Sequence, residues 1–160
     1  MAGKKRQVST AQDQPDDDDT IGRLARELIR AMDHYREQYA EKTATCVTEL
    51  LALGHLYHEG ELSPTQLAAR LDLTTGSVTA LLNRLVRAGF VRRSPHADDR
   101  RRLVITPTRA GIRITAGLFN GLRDATSQAL DGATARQRHT IAEFLATTTR
   151  NLGEITDRRS

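Results

Sequence analysis

The chain has 160 residues, 38% of them hydrophobic and only 4% aromatic, which suits one compact domain with a modest, mostly aliphatic core. No apolar run approaches the length of roughly 18 residues that a membrane span requires, and the N-terminal part is too polar for a secretion signal. Cys46 is the single cysteine, which excludes an intramolecular disulfide. We therefore expect a cytoplasmic protein that does not associate with membranes.

The net charge of +4 is unevenly distributed along the chain. Nine arginines lie between Arg84 and Arg113, and the only acidic residues in that window are Asp98 and Asp99. A charge run taken alone usually marks a solvated surface, and the alternative is a contact with an anionic partner. The structure predicted around these arginines decides between the two interpretations.

The N-terminal third of the chain divides into a polar tail and two helices. Residues 1–20 combine three basic residues with a run of aspartates and have little to bury, which predicts a disordered tail. From Ile21 to Tyr39 apolar residues recur at three- and four-residue steps, which predicts a long helix over 21–44. A second helix is predicted from about Thr45 to Gly60.

The next segment carries the signals of two helices separated by a short turn. Ser63-Pro64-Thr65-Gln66 combines an N-cap, a proline at the first helical position and a capping box, and this helix is short, breaking at Asp72. Thr74 is the predicted N-cap of a longer helix that ends at Gly89. A short helix, a turn of about three residues and a longer helix form the helix-turn-helix pattern.

After Gly89 the hydrophobic period becomes that of β-strands. Residues 90–93 and 103–106 predict two strands joined by a long basic hairpin, the wing, and two further helices capped by Thr108 and Thr134 follow. The predicted class is mainly α (α+β), a winged helix-turn-helix domain flanked by long dimerisation helices. The predicted divisions are the tail at 1–20, a dimerisation helix at 21–44, the winged domain at 45–107 and C-terminal dimerisation helices at 108–160.

The flanking helices predict a homodimer. Their apolar stripes lie at the two ends of a small domain, and packing across a two-fold axis would bury both stripes and place the two helix-turn-helix units symmetrically. If the two helix-turn-helix units bind double-stranded DNA, this symmetry predicts a pseudo-palindromic operator whose half-sites lie about one helical turn apart.

On the open side of the helix from Thr75 to Ala88, the side chains near the start are small and polar. Such side chains suit a helix that enters the major groove. A capped surface helix has a similar composition, but an arginine-rich hairpin does not usually follow it. The predicted major-groove residues are Thr74, Thr75, Gly76, Ser77, Thr79, Ala80, Asn83 and Arg84. The predicted wing residues are Arg92, Arg93, Asp99, Arg100, Arg101 and Arg102.

Arginine at a hairpin tip suits a narrow minor groove, where an adjacent aspartate can orient the guanidinium. Arg92 and Arg93 point to opposite sides of their strand, and the sequence leaves open which of them faces a phosphate.

The run LAARLDLTTGSVTALLNRLVRAGFVRRSPHADDRRRLVITPTRAG closely resembles the DNA-binding core of the MarR family, the multiple-antibiotic-resistance type of regulators. Asp99, Arg100 and Arg101, followed by Thr108 and Gly111, stand at the spacing of that family's wing signature. The resemblance implies a dimeric winged-helix protein, usually a repressor. It also implies that a small molecule or an oxidant lowers the affinity for DNA by acting near the junction of the dimerisation and DNA-binding parts. Arg101 would be the wing-tip arginine.

Three residues depart from the family pattern. Pro107 stands where leucine is usual, which predicts distortion at the end of the second wing strand. Asp72 replaces the glycine common in the turn, and Asp tolerates the left-handed conformation needed there. Ala80 stands where a larger, often basic residue is common, so base readout from this position is not expected.

A small-molecule effector pocket would lie between the first helix and the core. Its candidate residues are Arg30, His34, Tyr35, Tyr39 and Cys46. The first four suit an ordinary interface equally well. For Cys46, a buried structural role is favoured over redox sensing, because reactive thiols need an accessible electropositive setting.

Two other functional classes are an enzyme and an architectural DNA-binding protein. His55 and His58 do not have the spacing of a zinc-protease helix, and neither a nucleophile with its base nor a glycine-rich phosphate loop is recognisable, so we expect no enzymatic activity, metal or cofactor. A non-specific architectural DNA-binding protein without an effector is the alternative function. Such a protein would share the basic wing but bind all sequences alike, with an affinity governed by salt.

Overall fold

The computed structural model describes residues 17–96, 99 and 101–157. The elements in chain order are α1 (Asp17–Lys42), α2 (Val47–Glu59), α3 (Pro64–Leu71), α4 (Thr75–Arg87), β1 (Val91–Pro95), β2 (Leu103–Pro107), α5 (Arg109–Ala129) and α6 (Ala135–Asp157). The predicted mainly α class, with a helix-turn-helix followed by a wing, is confirmed. Across these ranges, none of the helices combines the length and apolar character needed to span a membrane.

Helix α1 begins at Asp17 rather than at Ile21, so the last four residues of the predicted disordered tail are helical. Asp17, Asp18 and Asp19 occupy its first turn, where carboxylates interact favourably with the free N–H groups and the positive end of the helix dipole. Residues 1–16 lie outside the described part of the chain.

Local hydrogen bonds set the turn between α3 and α4 as the sequence predicts. Ser63 Oγ accepts from the Gln66 N–H at 3.2 Å, and Gln66 Oε1 accepts from the Ser63 N–H at 2.9 Å, which completes the capping box. Asp72 ends α3 in the left-handed region with φ 52° and ψ 47°. Thr74 Oγ1 then accepts from the Ser77 N–H at 3.2 Å and caps α4.

The main core lies where α2, α3, α4 and the base of the wing meet. Leu53, Leu67, Leu85 and Ile105 are fully buried there, and burying each such side chain contributes about 2 kcal/mol. The segment before α3 also joins the sheet, because Leu62 and Ile105 exchange backbone hydrogen bonds of 3.2 and 2.8 Å. This core holds the helix-turn-helix and the wing in one orientation.

The wing strands pair antiparallel, with Val91 opposite Pro107 and Pro95 opposite Leu103. The predicted distortion at Pro107 is wrong, since the register continues through this residue. A proline is tolerated at the end of this strand, because the neighbouring Thr108 N–H, rather than an N–H at position 107, donates to the Phe90 carbonyl. Thr108 then caps α5, donating to the Gly89 carbonyl at 2.6 Å and accepting from the Gly111 N–H at 3.3 Å.

Helices α1 and α5 pack closely through two tyrosines. Tyr35 Oη donates to the Leu118 carbonyl at 3.1 Å, and Tyr39 Oη donates to the Ile114 carbonyl at 2.9 Å. The approach depends on glycine, because a Cβ at Gly121 or Gly117 of α5 would collide with these hydroxyl groups. By contrast, the side chains of α6 described at 135–155 include no buried member.

Candidate nucleic-acid interface

The recognition helix, α4, turns an apolar side to the core and short side chains outward. Its buried residues are Val78, Leu81, Leu82 and Leu85. Its exposed residues near the start are Thr75, Gly76, Ser77, Thr79 and Ala80. A Cβ at Gly76 would meet nothing within 4 Å, so packing within the chain does not require a glycine there. This open surface suits close approach to a groove.

Hydrogen bonds within α4 determine what its hydroxyl groups offer to a partner. Thr79 Oγ1 donates its proton to the Thr75 carbonyl at 2.8 Å, so this exposed hydroxyl can only accept a hydrogen bond from a partner. Thr74 Oγ1 donates to Ser77 Oγ at 2.9 Å while it accepts from the Ser77 N–H. Thr74 is therefore committed to capping, whereas the proton of Ser77 Oγ can donate to an external acceptor.

Asn83 connects the recognition helix to the wing. Its Oδ1 accepts a 2.9 Å hydrogen bond from Arg93 Nη2. A guanidinium can only donate, so the amide oxygen must face Arg93 and the amide NH₂ remains to donate elsewhere. Of the two neighbouring arginines whose orientation the sequence left open, Arg93 is the one that lies against α4, while Arg92 is exposed on the other side of the strand.

Arg84, the last predicted groove residue, is bound to α2. Its Nε donates to Glu49 Oε1 at 2.8 Å, and this hydrogen bond is the main cause of the raised pKa of Arg84. Glu49 is 9% exposed, and its Oε2 accepts from the Cys46 N–H at 3.1 Å. Sequence reasoning missed Glu49, although its position three residues after the N-cap of α2 is the one from which a glutamate reaches back to that cap.

The tip of the wing is basic and exposed. Arg101 and Arg102 are both exposed, and Asp99 Oδ1 accepts from the Arg101 N–H at 3.0 Å. Asp99 thus shapes the backbone turn that carries Arg101, and its predicted effect on an arginine side chain stays a prediction. Arg100 lies outside the described residues.

The five candidate effector residues are not gathered around one cavity. Tyr35 borders an apolar cavity of about 310 Å³ between α1 and α5. Tyr39 is turned into the α1–α5 contact, where burial and then the neighbouring Tyr35 raise its pKa. Arg30 and His34 are exposed on α1, bonded to the Arg26 carbonyl and to Gln38.

The prediction that Cys46 is buried is wrong. Cys46 is exposed as the N-cap of α2, since the backbone must leave helical geometry there and the residue falls at a surface corner.

His55 takes part in a hydrogen-bonded cluster around Glu59, in which Arg70 ties α3 to α2. Glu59 receives hydrogen bonds from Arg70 Nη2 at 2.8 Å and His55 Nδ1 at 3.1 Å, with Arg70 the larger cause of the lowered pKa of Glu59. Among the residues that the structure describes, no three His, Cys, Asp or Glu side chains are grouped to hold a metal ion.

A capped helix-turn-helix with short polar side chains on its second helix, next to a two-stranded wing bearing arginines, defines a winged helix-turn-helix DNA-binding protein. The chain belongs to the MarR family of transcription regulators. The sequence model of that family matches residues 47–102. The chain is also 30% identical over 138 residues to YcgE of Bacillus subtilis, an HTH-type transcriptional regulator, a match covering 86% of this chain and 90% of the relative.

Other relatives and solved structures agree with this assignment. The HTH-type transcriptional repressor YetL of Bacillus subtilis is 33% identical over 53% of this chain and 52% of its own length. A MarR family protein from Bacillus stearothermophilus superposes with a TM-score of 0.72 at 17% identity, covering 84% of this chain and 94% of that one. A point mutant of MepR from S. aureus, solved bound to an oligodeoxyribonucleotide, has a TM-score of 0.60 at 22% identity, covering 82% and 97%. At such identities the superpositions establish the fold.

Proposed function

We propose that the protein is a homodimeric, sequence-specific DNA-binding regulator that acts as a repressor. The proposal rests on one observation: the open face of α4 and the arginines of the adjacent wing are exposed together. In the proposed complex each α4 enters a major groove, while Arg101 at the wing tip reaches the flanking minor groove and phosphates. The name of the relative YetL supports the repressor role.

Uncovered apolar surface on the first and last helices supports the homodimer. On α1, Ile21, Leu24 and Leu28 are 44–59% exposed. On α6, Phe144 and Leu145 are 43% and 47% exposed. Apolar stripes of this extent on a small chain mark an interaction surface, and a second copy of the chain has the complementary stripes. The two copies of α4 would then lie about 34–36 Å apart, one turn of DNA.

A small apolar effector is the proposed regulator of DNA affinity. The cavity between α1 and α5 supports this proposal, because it lies between a proposed dimerisation helix, α1, and the helix that follows the wing, α5. It is lined by Leu28, Ala31, Met32, Tyr35, Gly121, Leu122 and Ala125. A compound that binds there should raise the thermal midpoint of the protein and release DNA, and the cavity-filling variant Ala31→Trp should lose both responses.

Selection from a pool of random duplexes tests the proposed function. A sequence-specific dimer should enrich a pseudo-palindrome whose half-sites are centred about one helical turn apart. Recovery of sequences without a common motif would overturn the proposal and favour the architectural alternative, in which phosphate contacts supply all of the affinity.

A further inference from the structure

Two polar contacts hold the recognition helix from its two flanks. Successive residues of a helix are rotated by about 100°, so Asn83 and Arg84 leave α4 in different directions. Asn83 meets Arg93 of β1 at 2.9 Å, and Arg84 meets Glu49 of α2 at 2.8 Å. Leucine and valine packing beneath the helix resists its displacement, but a row of similar aliphatic side chains constrains rotation about the helix axis less than directional hydrogen bonds do.

The contact at Glu49 is the more deeply placed of the two. The side chain of Glu49 is 12% exposed and that of Arg84 is 48% exposed. A carboxylate removed from water needs its partners, and breaking such a pair from one side leaves an uncompensated charge. Glu49 therefore holds Arg84 Nε in place, and Arg84 is carried by α4.

Glu49 is in turn fixed to the corner between α1 and α2. Its second oxygen accepts from the Cys46 N–H, and the turn just before Cys46 is closed by the Thr45 N–H donating to the Ala40 carbonyl at 2.9 Å. Ala40 is itself buried near the end of α1. The carboxylate of Glu49 thus connects α4, through Arg84, to the end of the long N-terminal helix, α1.

We propose that Glu49 is a positioning residue for DNA recognition, which acts through Arg84 to fix the rotation of α4 about its axis and so to select the side chains that face the bases. This inference rests on the proposed sequence-specific binding. It assigns to an acidic residue a role in specificity that is exerted through Arg84.

Because Glu49 is negatively charged, a positioning role and simple repulsion from the phosphates predict opposite effects of neutralising it. Neutralising an acidic residue near DNA ordinarily tightens binding, because it removes repulsion from the phosphates. Loss of a positioning residue has the opposite effect on the operator, since misdirected groove residues lose their partners while phosphate contacts persist. Glu49→Gln should therefore weaken operator binding without weakening binding to an unrelated duplex.

The experiment compares binding to the duplex selected by the wild-type dimer and to an unrelated duplex of equal length. For Glu49→Gln we expect the operator Kd to rise about tenfold, equivalent to about 1.4 kcal/mol, with the unrelated duplex bound as before or tighter. Glu41→Gln, the same charge change at an exposed site near the end of α1, is the matched control and should leave the ratio of the two affinities unchanged. In an Arg84→Gln background, Glu49→Gln should have no further effect on that ratio.

Three outcomes would overturn the proposal: unchanged or tighter operator binding by Glu49→Gln, an equal loss on both duplexes by a folded variant, or additive effects with Arg84→Gln. If Glu49→Gln is unfolded by thermal melting at the assay temperature, Glu49→Asp decides, because it retains the charge on a side chain one methylene shorter. A lowered affinity ratio for Glu49→Asp supports the proposal, and an unchanged ratio contradicts it. Failure of the proposed function itself would be seen in the wild type, as equal affinity for both duplexes.

Discussion

Arg93 donates a 2.9 Å hydrogen bond to the side-chain oxygen of Asn83 and so joins the wing to the recognition helix. This arrangement leaves the Asn83 amide NH₂ as a donor, which suits a phosphate oxygen or an acceptor on a base edge. A bidentate contact to adenine would use the amide oxygen as well, and Arg93 already takes one of the two lone pairs of that oxygen.

Substitutions of Asn83 test whether this donor contacts DNA. Asn83→Asp keeps an acceptor for Arg93 but replaces the donor with a charged oxygen, so it should weaken operator binding more than Asn83→Ala does. Loss of the hydrogen bond in Asn83→Ala should cost about 1 kcal/mol, roughly fivefold in Kd. If Asn83 served only to hold the wing, Asn83→Asp would bind better than Asn83→Ala, which fluorescence anisotropy titrations would reveal.

Arg101 at the tip of the wing should contribute affinity without sequence preference. Arg101→Ala should weaken binding to operator and unrelated duplexes alike, and should lower the slope of log K against log salt by about 0.9 if one phosphate contact is lost. Titrations at four or more salt concentrations measure that slope. Arg123→Ala, at an exposed arginine of α5, removes the same charge and should leave the slope as in the wild type.

Substitutions of Ser77 and Thr74 should distinguish base readout from helix capping. Ser77→Ala removes an outward donor while the Ser77 N–H keeps its cap, so it should alter the preferred base at one operator position and leave the thermal midpoint nearly unchanged. Thr74→Ala removes the cap itself and should lower the free energy of unfolding by about 1 kcal/mol. Sequence selection with each variant, together with chemical denaturation, distinguishes them; an unaltered motif for Ser77→Ala would exclude its role in readout.

The apolar stripe of α6 should hold the dimer together. Leu145→Arg places a charge within that stripe, and we expect monomers by analytical ultracentrifugation at micromolar concentration. Operator affinity should fall about a hundredfold or more, because a single half-site no longer benefits from its linked partner. Thr147→Arg adds the same charge on the opposite side of α6 and should remain dimeric, and a dimeric Leu145→Arg would refute this interface.

Features that depend on neighbouring residues could be predicted from the sequence. The capping box of Ser63 and Gln66, the left-handed Asp72 and the Thr74 cap are encoded within a few residues, so the boundaries of the helix-turn-helix follow from local chemistry. The sequence predicts the start of α1 four residues too late. By composition the aspartates of its first turn resemble a solvated tail, although carboxylates favour a helix N-terminus.

Contacts between distant residues could not be predicted in the same way. Glu49 and Arg84 are 35 residues apart, and no periodicity reveals that a glutamate of one helix meets an arginine of another. The sequence places Arg84 on the open side of α4 and so predicts a groove contact, whereas in the structure its Nε donates to Glu49. The buried role predicted for Cys46 rests on the lack of a recognisable electropositive setting in the sequence, whereas its position as the N-cap of α2 places it at the surface.

The central claim is that the surface formed by α4 and the wing binds DNA according to sequence. The measurement that tests it most directly is a titration of the wild-type protein against its selected operator and an unrelated duplex at two salt concentrations. At the higher salt we predict that the operator is bound roughly a thousandfold more tightly than the unrelated duplex. Equal affinities that fall together as salt rises would contradict the claim.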